Sequence, residues 1–115
     1  MKKKNLSQLI KSLKLDWVHS DITKKNFPDN GKRGNVEILK VKNLESSESV
    51  VKELDERGYR PATIYETLAW AEKNWDGRSY VVALGSLWRR WDGRLVACLC
   101  GLFGGRGLLL RWWSS

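Results

Sequence analysis

Apolar positions follow two rhythms along this chain, a helical one in the first two thirds and a period of two in the last third. Leu6, Leu9, Ile10 and Leu13 recur at helical spacing, with Ser7, Gln8, Lys11, Ser12 and Lys14 opposite them. That spacing predicts a short amphipathic helix ending before Asp16-Trp17. Docking of this helix on the domain is favoured over a membrane surface. Between Asp21 and Asn35, Phe27-Pro28-Asp29-Asn30-Gly31 and Lys32-Arg33-Gly34 are turn-forming, which predicts a loop. The alternation from Val36 to Val41 predicts the first strand. Ser46 or Ser47 caps a helix running to about Arg57, with Val50, Val51 and Leu54 as its buried stripe and Gly58 as its stop. A second helix opens on the capping box Thr63-Ile64-Tyr65-Glu66, turns Ile64, Leu68 and Ala71 inward, and fades near Asn74 before the Asp76-Gly77 turn.

From there the period is two. Tyr80 to Leu84 reads as a buried strand by its β-branched content. Asp92-Gly93 is a two-residue hairpin signal joining Leu87–Trp91 to Leu95–Cys100, and Gly104-Gly105 turns the chain into a strand from Gly107 to Trp113. Helices early and strands late predict an α+β fold with a C-terminal antiparallel sheet. There is no internal repeat. In the last strand Leu108, Leu110 and Trp112 share one face and Gly107, Leu109, Arg111 and Trp113 the other. The first is uniformly large and apolar, as a core face should be. The second combines an absent side chain, a Leu, a cation and an indole, which packing does not demand and which suits the display of contact residues.

Length and composition narrow this picture. The 115 residues, 42% of them apolar and seven of them Trp, suffice for one compact domain with a short N-terminal extension, divided here as residues 1–35 and 36–115. No apolar run approaches the roughly 18 residues of a membrane span, and no secretion signal follows Met1-Lys2-Lys3-Lys4. A cytoplasmic location is the expectation. The net charge of +8 is uneven: +6 over residues 1–33, −3 over 34–76 and +5 over 77–115. The basic head is Lys except for Arg33 and the basic tail is all Arg, so the two are suited to different work. The head reads as a solvated terminus rather than a nucleic-acid arm.

Chemistry is sparse. His19 has no identifiable Ser or Cys partner, and the carboxylates lie mainly on the helices. Cys98 and Cys100 share a strand face, where a bridge between them would need distorted geometry, and with His19 they cannot complete a zinc site. Free thiols, no cofactor, no metal and no enzymatic activity are expected. The glycine-rich segment from Gly101 to Gly107 precedes no helix that would hold a phosphate, so turns account for it. Stronger signals are Trp88-Arg89-Arg90-Trp91 and Arg111-Trp112-Trp113, in which cations alternate with indoles. These residue types serve single-stranded nucleic acids and protein contact surfaces alike. Trp88 and Trp112 are assigned to the core, and Trp91 and Trp113 are left open.

The segment Gly58-Tyr59-Arg60-Pro61-Ala62-Thr63-Ile64-Tyr65-Glu66-Thr67-Leu68 resembles the C-type-lectin-like domain of the formylglycine-generating-enzyme group. More closely, Val82-Ala83-Leu84-Gly85-Ser86-Leu87-Trp88, then Gly93-Arg94, Gly105-Arg106, Leu108, Leu110, Trp112 and Trp113, resembles the variable proteins of diversity-generating retroelements. The likeness covers about residues 46–115. It implies a C-type-lectin-like domain with two helices and a C-terminal antiparallel sheet, lacking its last strand. In that family a reverse transcriptase rewrites scattered codons while a framework stays. Carried over, the framework is Trp88, Arg94, Val96, Ala97, Leu99, Gly101, Arg106, Leu108, Leu110 and Trp112. The implied diversified, ligand-binding positions are Arg90, Trp91, Leu95, Cys98, Cys100, Leu102, Phe103, Gly107, Leu109, Arg111, Ser114 and Ser115. For Cys98, Cys100 and Leu109, ordinary strand packing is an equal alternative. Family members continue past the tryptophan pair into a closing strand, so an unpaired sheet edge and an uncovered Trp112–Trp113 region are expected. The cysteines of the enzymatic relatives are missing, and formylglycine chemistry is not implied. The expected function is display of contact residues to a protein or other macromolecular ligand. The rival is a nucleic-acid-binding module using the Lys head and the Arg/Trp tail.

Overall fold

The structure is a computed structural model that describes residues 4–40, 46–102 and 104–113, with Leu102 as backbone only. Its elements are α1 (Leu6–Ser12), β1 (Trp17–Val18), α2 (Ser47–Glu56), α3 (Ile64–Asn74), β2 (Val81–Arg90), β3 (Gly93–Leu102) and β4 (Gly105–Trp112). The fold is α+β, with three helices and a four-stranded mixed sheet among the described residues.

Local chemistry accounts for the helix ends. The Ser46 side chain accepts the Ser49 backbone N–H, and Gly58, at φ 81°, takes the left-handed conformation that terminates α2. Thr63 and Glu66 form the reciprocal capping box of α3. Asn5 and Gln8 form a second one at α1, which gives a seven-residue helix a fixed start.

The sheet order is β1-β4-β3-β2, with β2, β3 and β4 antiparallel and β1 parallel to β4. β2 is one strand where the sequence suggests two, from Tyr80 and from Leu87. Its register slips between Ala83 and Leu87, where the Gly85 N–H donates to the Ala62 carbonyl at 2.8 Å and the Ser86 hydroxyl accepts the Ile64 N–H at 2.8 Å. A Cβ on Gly85 would overlap the Pro61–Ala62 backbone, so glycine lets the strand approach the start of α3.

Three expectations are corrected. The sheet is mixed, because Trp17-Val18 adds beside β4 at Gly107 and Leu108, flanked by bonds from Asp16 N–H to the Arg106 carbonyl and from His19 N–H to the Leu108 carbonyl. The edge of β4 expected to be unpaired is therefore covered as far as Leu108, and beyond it no described strand adds to that edge. Second, Val36 to Lys40 is not a strand; Val41 lies outside the described residues. A cleft of about 890 Å³ separates this segment from the outer edge of β2, so there is no neighbour within ladder distance. Third, residues 5–27 are built into the domain rather than appended to it. Leu6, Leu9, Leu13, Ile22 and Phe27 join Ile64, Tyr65, Leu68, Leu99 and Leu108 in one core, and the Tyr65 hydroxyl donates to the Phe27 carbonyl. α1 supplies the second apolar helix that the sheet face needs beside α3. No described helix is long and apolar enough to cross a membrane.

Candidate contact surface

The strand registers sort the sheet into rows whose character changes from one end to the other. On the helix-covered face the rows are Leu108–Leu99–Val81, then Leu110–Ala97–Ala83, then Trp112–Leu95–Trp88. On the opposite face they are Gly107–Cys100, Leu109–Cys98–Val82, Arg111–Val96–Leu87, and finally Arg94–Arg89. Both sets run from small or aliphatic residues to Arg and Trp.

At the first end the sheet is sealed. Cβ atoms on Gly105 and Gly107 would overlap the Trp17 indole, and one on Gly101 would overlap the Gly77 carbonyl. The Asp16 carboxylate accepts the Arg106 backbone N–H at 2.7 Å, fixing the segment that carries Trp17. Cys98 and Cys100 are buried, free thiols. Burial pushes both thiols up from their ordinary value, so they are protonated at neutral pH. Tyr80, more than half exposed overall, is pushed up to about 12 by partial burial of its hydroxyl and by its hydrogen bond with Cys98.

At the other end, the hairpin end, the sheet opens to solvent. Trp91, in the two-residue turn between β2 and β3, is 94% exposed, and Trp112 is 50% exposed. Asp92 holds Arg90 in a bidentate pair, with both distances 2.6 Å. Its guanidinium lies 5.6 Å from the Trp88 ring and 5.3 Å from the Trp112 ring, so one clamped cation spaces two indoles. Trp88 in turn meets the Phe27 ring at 6.3 Å. On the opposite face Arg94 lies over Trp113, whose backbone N–H donates to the Arg94 carbonyl, and reaches Glu48 of α2 at 3.8 Å. The rigid parts hold the exposed ones in place.

The structure divides the candidate ligand positions. Arg90 and Trp91 stand together at the hairpin end. Leu95, Cys98, Cys100 and Gly107 are buried, which corrects their assignment to a display face: Leu95 faces the core, Cys98 lies beside Tyr80, and Gly107 is roofed by Trp17 with Cys100 in the same row. Leu109 is half-buried in the Cys98 row. Arg111 is half-buried over Tyr80, 5.7 Å from its ring, and lines the cleft beside β2 rather than the hairpin end. The side chain of Leu102 and the whole of Phe103, Ser114 and Ser115 lie outside what is described. Trp112, assigned to the core, is half exposed because it lies on β4 beyond Leu108, where no described strand adds to that edge, whereas Leu95 in the same row is buried on an interior strand.

Two further contributors, Lys24 and Lys25, were not expected at this end. The turn from Asp21 to Phe27 reaches the hairpin end, since Asp21 acts electrostatically on Arg90 and Phe27 packs on Trp88. It carries Lys24 and Lys25, both exposed. Arg89 is exposed on β2, on the sheet face opposite Trp88. The signal available was the charge of the Lys head, but its position in space required β1 and its parallel pairing. His19 serves the same turn, with Nδ1 accepting the Asp21 N–H at 3.0 Å.

The Glu66 carboxylate is held at the start of α3. Burial would raise the Glu66 carboxyl, but the two-pronged bond from Arg60, at 2.7 Å on each oxygen, and the Thr63 and Gly34 N–H groups outweigh it and hold the carboxyl at about 2. No group of three His, Cys, Asp or Glu side chains among the described residues could hold a metal ion. No family model, curated protein or solved structure matches the chain.

Proposed function

We propose that the protein is a non-catalytic binding domain of C-type-lectin-like type whose contact surface is the hairpin end of the sheet, centred on Arg90, Trp91 and Trp112. One observation carries the reading: an indole left 94% in water at the tip of a well-anchored hairpin, beside a second indole held by a clamped arginine. Leaving so large an apolar side chain in solvent does nothing for folding, whereas Trp and Arg on a firm support are the residues that dominate contact surfaces. Pre-organisation by Asp92, Trp88 and Phe27 lowers the entropy lost on binding. Two helices preceding an antiparallel β2-β3-β4 meander is the arrangement that the resemblance to retroelement variable proteins implies.

The test is an unbiased one. Peptides selected from a random display library on the immobilised protein should lose at least about tenfold in affinity for Trp91→Ala, a change expected to leave folding intact. Selected peptides that bind the variant as well as the wild type would contradict the reading. The retroelement link has its own test in the adjoining DNA: a near-copy of the segment encoding residues 87–115, differing mainly at adenines. On this account the substitutions fall at solvent-facing positions such as Arg90 and Trp91 and spare the buried Leu95 and Gly107.

A further inference from the structure

The hairpin end brings together what the sequence keeps apart, a lysine pair from the basic head and an arginine–tryptophan pair from the tail. Resting on the contact surface proposed above, we infer that its ligand is a single-stranded polynucleotide that crosses the hairpin tip, with bases stacked on Trp91 and Trp112 and phosphates paired with Lys24 and Lys25 on one side and Arg89 on the other. Both indoles are exposed, and every base offers a π-face to them. None of the three cations has a carboxylate partner among the described residues, although the same region holds two carboxylates. Asp92 is consumed by Arg90, which leaves Asp21 as one carboxylate against three cations. The outward charge is therefore positive. Arg90, neutralised by Asp92, is a positioning residue that sets the spacing of the Trp88 and Trp112 rings.

An acidic protein would also meet the three cations, but it would leave the two indole faces without flat partners. A duplex would meet the cations too, yet its bases are stacked away from any indole outside it. Those two alternatives separate from the inference in one experiment on the full chain. Labelled oligo(dT) and oligo(U) of about fifteen nucleotides are titrated by anisotropy, with tryptophan fluorescence read in parallel. The expected result is binding with quenching, and a plot of log affinity against log salt with a slope of about −2, as release of ions from three phosphates predicts for a single strand. Trp91→Ala should weaken binding about tenfold with an unchanged melting temperature. Lys24→Glu with Lys25→Glu should flatten the salt slope while leaving the quenching at saturation.

The two oligonucleotides distinguish DNA from RNA as the source of the same chemistry. Absence of binding at low salt, equal affinity for a duplex, or equal competition by poly-glutamate would each overturn the inference. Should oligonucleotides fail while library peptides still map to Trp91, the polynucleotide is excluded and the contact surface stands. Insensitivity of both ligand types to Trp91→Ala would remove the surface itself.

Discussion

The two ends of one sheet differ more than its two faces do. At the sealed end, β3 and β4 carry Cys100, Gly101, Gly105 and Gly107, and neighbouring groups lie so close that a single added carbon would collide with Trp17 or the Gly77 backbone. At the hairpin end the same strands carry Arg94, Trp112 and Trp113, and the turn that precedes β3 carries Trp91. Close packing dictates residue size throughout the first end; at the second it does so at Gly93, where a Cβ would meet the Trp112 ring, and leaves Trp91 unconstrained. The lesson is that alternation along a strand tells which face a residue is on, whereas position along the strand tells whether that face is covered. Gly107 and Arg111 share a face; one is buried under an indole and the other lines an open cleft.

The contrast breaks first, if it breaks, at Leu99. This side chain is fully buried in the first row, between Leu108 and Val81, and Leu99→Ala should destabilise the protein by about 2–5 kcal/mol in urea denaturation. A loss no larger than that of an exposed residue would mean that the sealed end is not the stabilising one.

Glu66 tests whether α3 is pinned to the rest of the fold by charge as well as by packing. Its folded value of about 2 lies below its ordinary 4.5, so its contribution is present above about pH 4.5 and is lost as pH falls through about 2. At neutral pH the contribution is up to about 3 kcal/mol, the equivalent of that shift. The stability difference between wild type and Glu66→Gln should shrink steadily across that acid range. A difference that stays constant with pH would show that the Arg60 pair does not set it.

Gly107→Ala sharpens the comparison at a single atom. The added Cβ would meet the Trp17 ring, and the cost should be about 1–3 kcal/mol. In a Trp17→Ala background the same change should cost far less, a coupling that a double-mutant cycle measures directly. An equal cost in both backgrounds would relocate the constraint from Trp17 to the backbone. At the opposite pole, Trp91→Ala should alter stability by no more than about 0.5 kcal/mol, because its ring is almost wholly in water.

Much of the fold was legible because it rests on local rules. The Ser46 and Thr63 caps, the Gly58 stop, the β2–β3 hairpin and the inward Leu108 and Leu110 follow from chemistry within a few residues, although the two-residue turn falls on Trp91-Asp92, one position before the expected Asp92-Gly93. What escaped was non-local. Trp17-Val18 is too short to announce itself as a strand, and its pairing with Gly107-Leu108 depends on glycines 90 residues away that leave room for the indole. Without that pairing the Lys24–Lys25 turn has no address, and Gly107 looks like an open display position. Val36 to Lys40 shows the converse: a strand-like alternation that remains unpaired because no edge comes near enough. Trp112 was misplaced for a simpler reason. Its face was right, but it stands on the stretch of β4 edge that no described strand covers.

The central claim is that the hairpin end meets the ligand while the rest of the sheet holds the protein together. Hydroxyl-radical footprinting of the seven tryptophans, free and in complex with a library-selected peptide, addresses it most directly. The account predicts that Trp91 and Trp112 are the most reactive indoles in the free protein and that both lose reactivity in the complex, with Trp17 and Trp88 unchanged. Undiminished reactivity of Trp91 in the complex would contradict it.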